Sequence, residues 1–145
     1  MSGVMQSTYF LDLESLPDGT SKPLDEVSSH LQFNEQGLIP VITQDAHSHS
    51  VLMMAWMNRA SLSETLRLGQ MVYWSRSRNR FWRKGESSGH VQTLVEMSFD
   101  CDGDAILCKV IQDGVACHTG RPNCFYLEVD REAESVCVKG DAQPV

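Results

Sequence analysis

The sequence predicts a β-dominated α+β domain of mostly antiparallel strands with one or two short helices, and three observations carry that prediction. About six short segments are rich in β-branched and aromatic residues, whereas only one segment has clear helix start and stop signals. The dipeptide Asp102-Gly103 is a turn signal between two of the strand segments. A chain of 145 residues, 41% hydrophobic and 21% charged, suits one buried core and excludes disordered, collagen-like and small disulfide-stapled classes.

Residues 1–30 mix Ser, Asp, Pro and Gly around Leu16-Pro17-Asp18-Gly19-Thr20, with a short helix near 24–31 at most, and read as a peripheral N-terminal extension. The domain proper runs over 31–130. Its segments 37–43 and 50–56 are apolar and flank the polar stretch 44–49, which predicts an antiparallel pair with His47 and His49 in the connecting loop. Asn58 then caps a helix with Leu62 and Leu66 on one face, and Gly69 ends it. Residues 71–74, 90–99, 105–112 and 124–129 follow as strands. The remainder, 131–145, reads as a frayed C-terminal tail.

No apolar run reaches the ~20 residues that span a bilayer, since the longest, 51–57, is followed at once by Asn58 and Arg59. The first ten residues lack a cationic region followed by an apolar block, so the expected location is the cytoplasm. With 12 Lys and Arg against 19 Asp and Glu the formal charge is −7, which argues against general attraction to nucleic acid or anionic lipid. An anionic ligand must therefore meet a local patch. Arg76, Arg78, Arg80, Arg83 and Lys84 supply one, interleaved with Ser75, Ser77 and, further on, Ser88. Guanidinium forks beside hydroxyls make a phosphate cradle, and the same residues also fit a solvated, salt-bridged loop. Basic and aromatic interleaving suits single-stranded nucleic acid as well, but the net charge favours a small phosphorylated ligand.

The five cysteines are an odd number in a chain without a secretory signal, which favours buried, reactive or metal-bound thiols over a disulfide framework. Asp100-Cys101-Asp102-Gly103-Asp104 concentrates three carboxylates at the predicted turn; a cation would relieve that charge density, but the aspartates by themselves fit a solvated acidic turn better. An EF-hand does not fit, because Ala105 and Ile111 fall where the loop needs Gly and Glu. Cys117-His118-Thr119-Gly120-Arg121-Pro122-Asn123-Cys124 presents two thiols and an imidazole, a donor set that suits zinc. Cys101, Cys117 and Cys124 together would leave a fourth zinc position open to water, as in catalytic sites. His118 has three roles open to it: fourth ligand, general acid or base, or plain loop residue. Cys108 alternates within its strand and reads as core, and Cys137 falls in the tail without a partner.

Taken together, Phe33-Asn34-Glu35-Gln36-Gly37-Leu38-Ile39-Pro40, Leu52-Met53-Met54-Ala55-Trp56-Met57-Asn58, the Ser-Arg-Ser-Arg to Ser-Gly-His segment over 75–90 and the two cysteine clusters resemble the phosphoribosyl-AMP cyclohydrolases of histidine biosynthesis. The resemblance covers roughly 31–130 and no pyrophosphohydrolase-like domain follows it. It implies hydrolytic opening of the adenine ring of phosphoribosyl-AMP, between nitrogen 1 and carbon 6, by a zinc-activated water. It further implies that Cys101, Cys117 and Cys124 bind zinc, that Asp100, Asp102 and Asp104 bind magnesium, and that the chain forms an intertwined homodimer whose zinc sites take cysteines from both chains. Within that frame His118 is the expected proton acceptor, and Ser75, Arg76, Ser77, Arg78, Arg83, Lys84 and Ser88 are the expected substrate contacts. Two rivals remain: a zinc deaminase, whose H-x-E and P-C-x-x-C signature is missing here, and a structural zinc module closed by His118.

Overall fold

The computed structural model describes residues 8–145. Strands β1 (Ile39–Asp45) and β2 (Val51–Met57) pair antiparallel, as their flanking apolar runs predict. Between them Asp45 accepts from the backbone N–H groups of His47 and Ser48, and His49 takes a left-handed conformation, so both histidines sit in a turn. Helix α3 (Arg59–Leu68) follows at once. The Asn58 side chain accepts from the Ser61 N–H at 2.8 Å and the Ser61 hydroxyl accepts from the Asn58 N–H at 2.9 Å, a reciprocal capping box, while Gly69 ends the helix at φ 72°. Asn58→Ala is expected to cost about 1 kcal/mol, read as a fall of roughly 3 °C in Tm.

Strands β5 (Gln92–Phe99) and β6 (Ile106–Gln112) complete a sheet of order β2-β1-β6-β5. The β1–β6 contact is parallel, an exception to the antiparallel expectation; the other pairings are antiparallel. The register explains the core. Val41 and Thr43 lie beside Ile106 and Cys108, and these four with Ile39 and Val110 form one fully buried face. Cys108 is thus the core thiol its alternation predicted, and burial pushes its pKa up to about 12.

The basic segment does not run straight into a loop. β3 (Val72–Ser75) turns through Asn79, at φ 54°, into β4 (Arg80–Arg83), so Ser75 faces Arg80 and Trp74 faces Phe81. Thr65 fastens this hairpin to α3: its hydroxyl accepts from the Val72 N–H at 3.0 Å and lies 2.9 Å from the Ser61 carbonyl. A third sheet, β7 (Leu127–Asp130) with β8 (Ser135–Val138), corrects two expectations. Residues 124–126 precede the strand, because the Cys124 N–H donates to the Leu52 carbonyl and the Phe125 N–H to the Asn123 side chain. The tail is also paired: Gln143 donates to the Thr119 carbonyl, and Arg121 donates to the carbonyls of Lys139 and Gly140.

The N-terminal segment adds α1 (Tyr9–Leu13) to the expected short helix, α2 (Leu24–Ser29). Tyr9 stacks on His30 at 3.9 Å, and Phe10 is buried in the core with its ring against Gly103. Among the described residues, no helix is long and apolar enough to cross a membrane.

Candidate functional site

The β3–β4 hairpin, the loop after it and residues 115–118 enclose a cleft of about 590 Å³. Ser75, Ser77, Arg78, Lys84 and Ser88 line it, five of the seven substrate contacts expected from the sequence. Arg76 and Arg83 do not. Arg76 lies 4.9 Å over the Trp56 ring, and Arg83 belongs to the exposed β4. The lining instead gains Arg80, Trp82, Glu86, Ser87 and His90, with the Arg80 guanidinium 3.6 Å from the Glu86 carboxylate. Arg80 and Trp82 could have been anticipated once the segment was read as a hairpin, since residues two apart share a strand face. His90 ends the Ser-Gly-His stretch, but neither its residue type nor its spacing marks it as a contact.

At the far end the cleft reaches Cys117 and His118. The turn that presents them is held by Gly120, at φ 84°, whose N–H donates to the Cys117 carbonyl at 3.0 Å. A side chain at Gly120 would collide with Gln143 of the tail. Burial disfavours the Cys117 thiolate, but donation from the Thr119 hydroxyl at 3.1 Å, from the Thr119 and Cys124 neighbours and the field of Arg121 outweigh it, so the pKa falls below the usual thiol value. Cys124 moves the other way, pushed up to about 11 by desolvation and by the neighbouring Cys117. Lys84 aims at this pair: its Nζ donates to the Ala116 carbonyl at 2.5 Å and sits 5.1 Å from the Trp82 ring centre. Desolvation lowers its pKa while both thiols oppose the shift.

Cys101 is elsewhere. It shares a second hollow with Phe10, Glu14, Gln32, Asp102 and Asp104, with no lining residue in common with the cleft. Within one chain the three cysteines are therefore not gathered. Among the described residues the group able to hold a metal is Asp100, Asp102 and Asp104, whose carboxylate oxygens lie within 4.8 Å of one another. Asp100 Oδ1 accepts from the N–H groups of Asp104 and Ala105 at 2.8 and 3.1 Å. Desolvation opposes it, but hydrogen bonding from the Asp104 side chain together with these backbone bonds lowers the Asp100 pKa, whereas hydrogen bonding to Asp100 and Asp102 pushes Asp104 up to about 7. The loop is braced from outside: Gln32 donates through its backbone to Gly103 O at 2.8 Å and through its amide to Asp102 O at 2.6 Å. Gly103 is at φ 71° and a Cβ there would strike the Phe10 ring, so both conformation and close approach require glycine.

A small β-dominated domain with a cationic, hydroxyl-lined cleft that ends at Cys117 fits the class of enzymes that take a small anionic substrate. Comparison with known proteins makes the class particular. Residues 53–126 match the family model for phosphoribosyl-AMP cyclohydrolase. The phosphoribosyl-AMP cyclohydrolase of Alkalilimnicola ehrlichii is 53% identical over 135 residues, covering 93% of this chain and 95% of the relative. That of Magnetococcus marinus is 60% identical over 116 residues, 80% of this chain and 83% of its own. The Dinoroseobacter shibae protein of that name is 60% identical over 104 residues, 72% and 87% of the two chains. The chain belongs to the phosphoribosyl-AMP cyclohydrolase family.

Proposed function

We propose that this protein opens the adenine ring of phosphoribosyl-AMP by adding water at carbon 6 and breaking the bond to nitrogen 1, as a step of histidine biosynthesis in the cytoplasm. The observation that carries this reading is the single cleft in which Arg78, Arg80 and the Ser75, Ser77 and Ser88 hydroxyls lead to Cys117 and His118. A phosphate gripped at the hairpin leaves the base at the thiol end. The ribosyl group on nitrogen 1 withdraws electrons from the ring and makes carbon 6 open to attack.

The donor chemistry fits two metals. Paired thiols, one with its ionisation favoured, suit zinc, and three crowded carboxylates, one of them pushed up to about 7 by the others, suit a hard cation such as magnesium. Cys117 and Cys124 of one protomer with Cys101 of the partner subunit would form the zinc site, which accounts for thiols that a single chain keeps in two separate hollows. Zinc there would supply a water whose pKa is lowered to about 7. His118, exposed at the Cys117 end of the cleft, would take a proton from the attacking water and return it to the leaving nitrogen. Lys84 holds the 115–117 backbone and brings positive charge to the thiol pair. Asp100, Asp102 and Asp104 would hold magnesium, which would supply a hard positive charge for oxygen ligands.

The test is turnover of phosphoribosyl-AMP, followed in the ultraviolet with zinc and magnesium supplied. Zinc-dependent ring opening is expected; a folded, zinc-loaded protein that leaves the substrate intact contradicts the reading. Arg78→Ala should raise KM roughly tenfold or more with kcat nearly unchanged, because a phosphate grip acts equally on bound substrate and transition state. A loss confined to kcat would move Arg78 to the chemistry. His118→Ala should lower kcat by roughly a hundredfold with zinc still bound, and near-normal turnover in that variant removes His118 from the proton path.

A further inference from the structure

One residue of the cleft is held closely by its neighbours. His90 lies between two glycines of positive φ: a Cβ on Gly85 would strike the His90 carbonyl group and the N–H of Val91, and a Cβ on Gly114 would fall within 3 Å of the His90 ring. Its N–H donates to the Ser88 hydroxyl at 3.2 Å, and its carbonyl accepts from Gln112 Nε2 at 3.2 Å. Gln112 is itself held, since its Oε1 accepts from the fully buried Gln92 at 2.8 Å, and Gln92 Oε1 accepts from the Tyr73 hydroxyl at 2.7 Å. The Val115 N–H donates to His90 Nδ1 at 3.4 Å, which puts the proton of the neutral ring on Nε2. A half-buried imidazole with fixed backbone, ring plane and tautomer is far more ordered than a solvated loop histidine requires.

We infer that His90 is a further substrate-binding residue, donating from Nε2 to an acceptor nitrogen of the purine base. This deepens the proposed function and rests on it. The base is assigned because His90 is tied to Val115, at the Cys117 end of the cleft, while Arg78 and Arg80 occupy the hairpin. Gly114 serves the contact indirectly, by leaving room for the ring to lie flat against the backbone.

The probe is AMP, which carries a purine base, ribose and phosphate without being hydrolysed, with its affinity measured by calorimetry on the metal-loaded protein. His90→Ala should weaken AMP about tenfold and raise KM for phosphoribosyl-AMP by a similar factor, with kcat within about threefold of wild type. Gly114→Ala should weaken AMP by a comparable factor in the wild-type background but by less than about twofold when His90 is already alanine, because the ring it displaces is gone. A wild-type protein that binds AMP but leaves phosphoribosyl-AMP intact ends the cyclohydrolase reading, while the AMP affinities still decide the His90 contact. Affinity of His90→Ala within twofold of wild type, no AMP binding by wild type, or an equal Gly114→Ala penalty in both backgrounds overturns the inference.

Discussion

Cys117→Ala is expected to abolish stoichiometric zinc binding and to lower kcat for phosphoribosyl-AMP by roughly a thousandfold or more, the scale of the several kcal/mol that an activated water supplies. The substitution is small where it stands. Cys117 is buried at 3% exposure and its neighbours are held by backbone bonds, Ala116 to Pro122 and Cys117 to Arg121, that alanine keeps. Circular dichroism of the metal-free variant should therefore match that of metal-free wild type. Metal analysis beside single-turnover kinetics checks the prediction. A variant that keeps zinc and turnover within tenfold of wild type removes Cys117 from the site.

The largest effect on stability is expected at Gln92, which has no exposed surface and anchors four groups at once. Its Oε1 accepts from the Tyr73 hydroxyl, and its Nε2 donates to Gln112 Oε1 at 2.8 Å and meets Met53 Sδ at 3.4 Å. Its backbone carbonyl accepts from the Met71 N–H at 3.0 Å, which ties β5 to the start of β3. Gln92→Ala keeps that last bond but opens a cavity, leaves the Gln112 oxygen without its donor and leaves the Tyr73 hydroxyl only its 2.7 Å contact with Thr43. The cost should be about 3 kcal/mol, read as a fall of roughly 10 °C in Tm. Thermal unfolding with metals held constant measures it, and a fall of under about 3 °C would mean that water or a rearranged Gln112 replaces the amide at little cost.

What the sequence makes legible is local. β1, β2 and α3 follow from apolar runs, a capping residue and a terminal glycine, all within a few positions of the element they define. β4 was hidden because Arg80-Phe81-Trp82-Arg83 surrounds its aromatics with charge, and its turn uses Asn79 in a left-handed conformation instead of glycine. β8 was hidden for a related reason: Glu134, at φ 50°, precedes it where no turn residue announces a hairpin. The parallel pairing of β1 with β6 joins segments some sixty residues apart, and no local pattern encodes such a crossover.

The site divides in the same way. Cys117, His118 and the hydroxyl-flanked Arg78 stand out by residue type and spacing, and the fold brings them to one cleft. Cys101 stands out equally, yet the fold sets it in the second hollow beside Phe10. Spacing along the sequence does not say which thiols folding brings together. His90 was missed because what marks it is the missing side chain at Gly85 and Gly114, a signal that exists only after folding.

The most direct test is the mass of the product formed from phosphoribosyl-AMP by the wild-type protein with zinc and magnesium present. Ring opening predicts a product heavier than the substrate by one water, with every nitrogen retained and no ammonia released; a product that has exchanged an amino group for oxygen, with ammonia in solution, would contradict it and assign the cleft to a deaminase.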